Sequence, residues 1–138
     1  MAQNTAPIFT VTPRLGFGVI NSLNNTFDMT TGTSASLFTA GASGSYVTKI
    51  RVKPSGSTAA TVLRFFLNTG GATTISTNNS LFAELSIPAI TTSATLAQND
   101  FEVPFNIAIP ASYAIYGVSG TAPGAGTGFE VTTIGGDY

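Results

Sequence analysis

Cysteine, histidine and tryptophan are all absent from this 138-residue sequence. Without the first two there is no disulfide staple, no thiol nucleophile, no Ser-His-Asp triad, no histidine acid–base catalysis and no Cys/His zinc site. Charge is nearly as scarce. Charged residues make up 8% of the chain, and five Lys+Arg stand against six Asp+Glu. No long-range field therefore favours phosphate backbones, and general nucleic-acid binding is not expected. Long apolar runs are missing too: the densest, Val62-Leu63-Arg64-Phe65-Phe66-Leu67, is far too short to cross a bilayer, so no membrane partner is expected. The opening Met1-Ala2-Gln3-Asn4-Thr5-Ala6-Pro7 has neither a basic region nor an apolar core. It fails as a secretory signal, and cytoplasmic synthesis is expected.

What the chain does have is apolar residues in short, spaced runs, 43% of the total, punctuated by Gly, Pro, Asn and Ser-Thr clusters. No long 3.6-residue pattern occurs, so an all-β chain is expected. Pro7 and Pro13 make the amino-terminal segment a poor central strand. Residues 1–18 read as an arm or edge, with 19–138 as a single domain. Strand character is expected within Val19 to Met29 and over Ser34 to Thr39. From Ser45 to Lys53, period two sets Tyr46, Thr48, Ile50 and Val52 against Val47, Lys49, Arg51 and Lys53, the pattern of a half-solvated antiparallel strand.

The next strand, Ala60 to Asn68, follows the turn at Pro54-Ser55-Gly56-Ser57. If the two pair as a hairpin, Arg64 joins the stripe of Lys49, Arg51 and Lys53. Further strands are expected over Leu81 to Ile87, Phe101 to Ile109, Ser112 to Val118 and Gly128 to Ile134. The alternation of Phe101, Val103, Phe105, Ile107 and Ile109 is the clearest core pattern, and Pro104 directs that strand toward an edge. Seven or eight short strands at this spacing fit a two-sheet antiparallel β-sandwich, jelly-roll-like in preference to immunoglobulin-like.

Few residues carry chemistry. The carboxylates are Asp28, Glu84, Asp100, Glu102, Glu130 and Asp137. A hydrolase would need two of them across a cleft, Glu102 and Glu130 being the pair that neighbouring strands could bring face to face. Asp100 and Glu102 lack the Asp-rich loop of a calcium site. The glycine-rich run Gly120 to Gly126 lacks the Lys-Ser/Thr ending of a phosphate loop. No catalytic residue, metal ligand or cofactor is therefore assigned. Lys49, Arg51, Lys53 and Arg64 form the best charge feature. They read either as a solvated sheet face or as an interface with an acidic protein surface or polyanion. Tyr46, Tyr113, Tyr116 and Tyr138 would have to converge to make a sugar-binding platform.

The phrases Leu37-Phe38-Thr39-Ala40-Gly41, Lys49-Ile50-Arg51-Val52-Lys53-Pro54, Thr61-Val62-Leu63-Arg64-Phe65-Phe66-Leu67-Asn68 and Val131-Thr132-Thr133-Ile134-Gly135-Gly136-Asp137-Tyr138 resemble small virion structural proteins of tailed bacteriophages, most nearly the capsid decoration, or cement, proteins. The resemblance covers roughly Ser34 to Tyr138. It implies a non-enzymatic protein on the capsid exterior, made in the host cytoplasm, partnered by the major capsid protein and displayed as a homo-oligomer. It transfers no catalytic residue. The rivals are a tail, baseplate or fibre component and a carbohydrate-binding β-sandwich module.

Overall fold

The spaced apolar runs become eight strands among the described residues, which in this computed structural model are 9–138. They are β1 (Thr12–Ile20), β2 (Ala35–Thr39), β3 (Ser45–Pro54), β4 (Thr61–Asn68), β5 (Asn79–Ile87), β6 (Phe101–Ile109), β7 (Ala114–Ser119) and β8 (Phe129–Asp137). A 3-10 turn at Ser76–Asn78 precedes β5. Part of the expected arm, residues 1–8, lies outside the described residues. Its remainder runs into β1, which crosses the expected boundary at 18/19 as the edge strand of a sheet.

The pairing follows one rule. β1 pairs with β8, β2 with β7, β3 with β6 and β4 with β5, all antiparallel. The chain is thus one long hairpin with its tip at β4–β5, rolled up until β8 meets β3 and β7 meets β4. Rolling yields two four-stranded sheets, β1-β8-β3-β6 and β2-β7-β4-β5. This is a two-sheet antiparallel β-sandwich with the strand order of a jelly roll. The hairpin expected between β3 and β4 does not form, because the turn after Pro54 carries the chain across to the other sheet. The local hairpin is β4–β5 instead.

Between the sheets lie Val47, Ile50, Val52, Leu63, Phe65 and Ile115, all fully buried. Phe105 meets Phe65 edge-to-face at 6.4 Å and stacks obliquely on Phe82 at 4.7 Å, a geometry that aromatic quadrupoles favour. The alternation of β6 is realised with Val103, Phe105 and Ile109 buried and Glu102, Pro104 and Asn106 exposed. That of β3 is not. A bulge shifts its register between Val47 and Lys49, so Val47 points inward with Ile50 and Val52, while Tyr46 and Thr48 leave that face.

On β1 the apolar pattern is inverted. Leu15, Phe17 and Val19 face solvent, and Gly16 and Gly18 face β2. A Cβ on Gly16 would sit 2.1 Å from the Leu37 carbonyl oxygen, and one on Gly18 would sit 2.7 Å from that of Ser36. Only glycine permits this approach of β1 to β2. After Ile20 the expected strand gives way to a strap, residues 21–34, laid over the outer face of the β2-β7-β4-β5 sheet. The Asn24 backbone N–H donates to the Ser119 carbonyl at 2.8 Å. Buried Met29 packs on Phe66 and Val118.

Candidate functional site

The four cations singled out by sequence divide between the two sheets. Lys49, Arg51 and Lys53 stand on the outer face of β3, each answered by a carboxylate at or near β6. Lys49 Nζ meets Glu102 at 2.8 Å, Arg51 meets Asp100 at 2.6 Å and Glu102 at 3.6 Å, and Lys53 meets Asp100 at 3.7 Å. The side chains of this ladder are 36 to 52% exposed. Each pair is therefore worth less than about 1 kcal/mol, and the face presents both signs, not a basic stripe.

Arg64 does not join them. It lies on β4 in the opposite sheet, its side chain 11% exposed. Its Nε donates to Glu84 at 2.8 Å, and its guanidinium lies 4.0 Å from the Phe27 ring centroid of the strap. Nη1 is buried without an acceptor. Arg64 thus pins the strap to β4 through its charge and its planar face.

The carboxylates are similarly dispersed. Glu102 and Glu130 do not face each other as neighbours, because β3 separates β6 from β8, and Glu130 is in register with Lys53. Asp100 and Glu102 are engaged by Arg51 and its neighbours. Among the described residues, no group of three potential metal ligands gathers. Asp28 accepts from the amide and hydroxyl of Thr30 at 3.1 and 2.9 Å, which hold its carboxyl below the usual range. Tyr113 packs against the main core and Tyr116 against the Met29 cluster. Tyr46 lies apart with Tyr138, Phe9 and Thr10, so the four tyrosines build no common platform.

The feature that sequence reasoning passed over is the outer face of β1. Across the sheet, Leu15 is in register with Ile134 and through it with Lys49. Phe17 is in register with Thr132 and through it with Arg51, and Val19 with Glu130 and through it with Lys53. One half of the face is an apolar stripe and the other half the ion ladder of mixed sign, with Glu130 beside it. A shallow depression lined by Leu15, Ile134, Thr132, Arg51, Lys53, Asp100 and Glu130 joins them. The available signal was Leu15-Gly16-Phe17-Gly18-Val19, in which glycine takes every second place and leaves the large residues no inward side.

A second apolar surface lies on the opposite side of the sandwich, where Leu23 and Phe27 of the strap are 49 and 67% exposed. Two separated surfaces of this kind suit protein contacts, since isolated apolar residues need no explanation but contiguous ones do. No protein-family model matches the chain, and neither a curated protein nor a solved structure matches it.

Proposed function

We propose that the chain is a non-enzymatic virion structural protein that decorates an icosahedral bacteriophage capsid and stabilises it by bridging coat subunits. The observation that carries this reading is the placement of apolar surface on opposite faces of one small sandwich, Leu15, Phe17 and Val19 on one side and Leu23 and Phe27 on the other. A bridging protein needs two such surfaces. The chain has only eleven charged residues, and seven of them are already matched in the β3–β6 ladder and in Arg64–Glu84. Little desolvation of unpaired charge therefore opposes lateral packing.

In this reading the mechanism is mechanical. Several modest contacts made at once to different coat subunits raise the cost of separating any two of them, because releasing the clamp requires all contacts to open together. The partner is the major capsid protein, the site of action is the capsid exterior, and no cofactor enters.

Electron cryomicroscopy of the particle that carries the chain tests the proposal. Density over the icosahedral shell, seated between coat subunits, is the expected result. Density confined to the tail would replace the proposal with a tail, baseplate or fibre role. Absence from the particle, together with retention on a glycan column, would leave the carbohydrate-binding alternative.

A further inference from the structure

We infer that the outer face of β1 is a homotypic interface: a second copy of this chain docks on it, stripe against stripe, about a two-fold axis near Leu15 and Phe17. The inference rests on reading β1 as a protein-contact surface and narrows the proposed function: with β1 given to a second copy, the bridge is the dimer, whose two Leu23–Phe27 surfaces each meet a coat subunit.

The first argument is area. Val11, Leu15, Phe17 and Val19 are 81, 57, 73 and 48% exposed. With Phe9, 76% exposed just ahead of them, they offer on the order of 500 Å² of apolar surface, scaling from about 200 Å² for a whole aromatic side chain. A standard interface buries about 800 Å² per partner, and about 65% of a homodimer interface is apolar. The stripe alone supplies an apolar area of that size.

The second argument is charge. Beside the stripe stand Lys49, Arg51 and Lys53 with Asp100, Glu102 and Glu130, three of each sign on one face. A strongly acidic or basic partner finds no net attraction there. A copy of the same face does meet its requirements: a two-fold axis sets apolar stripe on apolar stripe, and lets the cations of one ladder approach the carboxylates of the other. Self-complementarity of this kind is what an isologous interface demands.

The third argument is rigidity. Gly16 and Gly18 seat β1 directly on β2, and β8 pairs it along its whole length from Thr12 to Ile20. The large side chains therefore stand on a fixed backbone, which lowers the ordering cost of binding.

Sedimentation velocity of the isolated chain, without capsids, tests the inference. The expected mass at tens of micromolar is that of two chains. Phe17→Asp is expected to weaken association by at least about 30-fold, as loss of a hot-spot residue does, with an unchanged far-ultraviolet circular dichroism spectrum showing that the sandwich persists. The chain has no cysteine, so Phe17→Cys introduces a single thiol. Mild oxidation should link two copies, while Leu96→Cys, exposed but off the stripe, should remain unlinked.

A one-chain mass for the parent protein, an unaltered assembly after Phe17→Asp, or equal cross-linking of the two thiol variants would overturn the inference. A monomer whose capsid occupancy is lost with Phe17→Asp would also overturn it, giving the stripe to the coat protein and supporting the virion role. A dimer absent from capsids would do the reverse.

Discussion

Arg14 Nη1 donates to Asp137 Oδ2 at 2.9 Å, joining residues 123 positions apart. The same carboxylate accepts from the Ser45 hydroxyl, so β1, β3 and β8 are tied at one end by a single side chain. Burial of this carboxylate acts to raise its pKa, but the Ser45 hydroxyl and the Arg14 guanidinium outweigh it and hold the group below the usual carboxylate range.

The sign of the pH effect follows. An unfolded Asp titrates near about 3.9, and the folded protein holds fewer protons just below that value. Stability from Asp137 is fully present above the unfolded pKa and is lost as pH falls through the lowered folded one. Asp28 acts in the same direction. Thermal midpoints should therefore drop as pH falls below about 4, the unfolded value, and Asp137→Asn should shrink that drop while lowering stability at neutral pH. Parallel pH curves for parent and variant would count against the assignment.

Arg64 and Arg51 should respond differently to the same change. Arg64→Ala removes an ion pair whose cation is largely buried together with the contact with Phe27, and is expected to cost about 1 to 3 kcal/mol. Arg51→Ala removes an exposed pair and is expected to cost less than about 1 kcal/mol. Urea unfolding of both variants checks the order, and equal losses would contradict it.

Phe105→Ala should cost about 3 to 5 kcal/mol, the usual effect of emptying a buried aromatic site. Phe105 is 5% exposed and touches the rings of both Phe65 and Phe82, so the cavity would open where the β5 and β6 edges meet. A thermal midpoint equal to the parent's would reject its place in the core.

Gly16→Ala should cost about 1 to 3 kcal/mol or more, because the added carbon meets the Leu37 backbone rather than a side chain that can turn aside. Gly126→Ala is a useful contrast. No atom lies within 4 Å of its added carbon, although its φ of +70° imposes local strain. Chemical denaturation should show m-values unchanged in both, with the larger fall in midpoint for Gly16.

Double charge reversal, Lys49→Glu with Arg51→Glu, is expected to reduce capsid occupancy if the ladder takes part in attachment. It also sets new carboxylates against Asp100 and Glu102, so Lys49→Gln with Arg51→Gln is the cleaner variant. Occupancy is counted on purified particles, and full occupancy of both variants would remove the ladder from the attachment surface.

The sandwich was legible because its information is local: Phe101 to Ile109 alternates over nine positions, and Gly and Pro mark the turns. Pairing between distant segments was not. Nothing near Lys49 in sequence announces Glu102, and the inward turn of Val47 depends on a bulge that exists only once β6 and β8 flank β3. Arg64 looked like a member of the stripe because charge spacing is visible in a sequence and sheet membership is not. The outward face of β1 was partly legible in its glycines, whose packing role emerges only against the Leu37 backbone.

The rolled-hairpin order also sets a schedule for synthesis. β1 is made first, yet its sheet partner β8 follows 123 residues behind, counting from Arg14 to Asp137, or roughly 6 to 25 s at translation rates of about 5 to 20 residues per second. The β4–β5 tip can close long before then. A strand bearing Leu15, Phe17 and Val19 therefore waits unpaired through most of the chain's emergence, and its apolar side chains are open to misassociation for the whole of that interval.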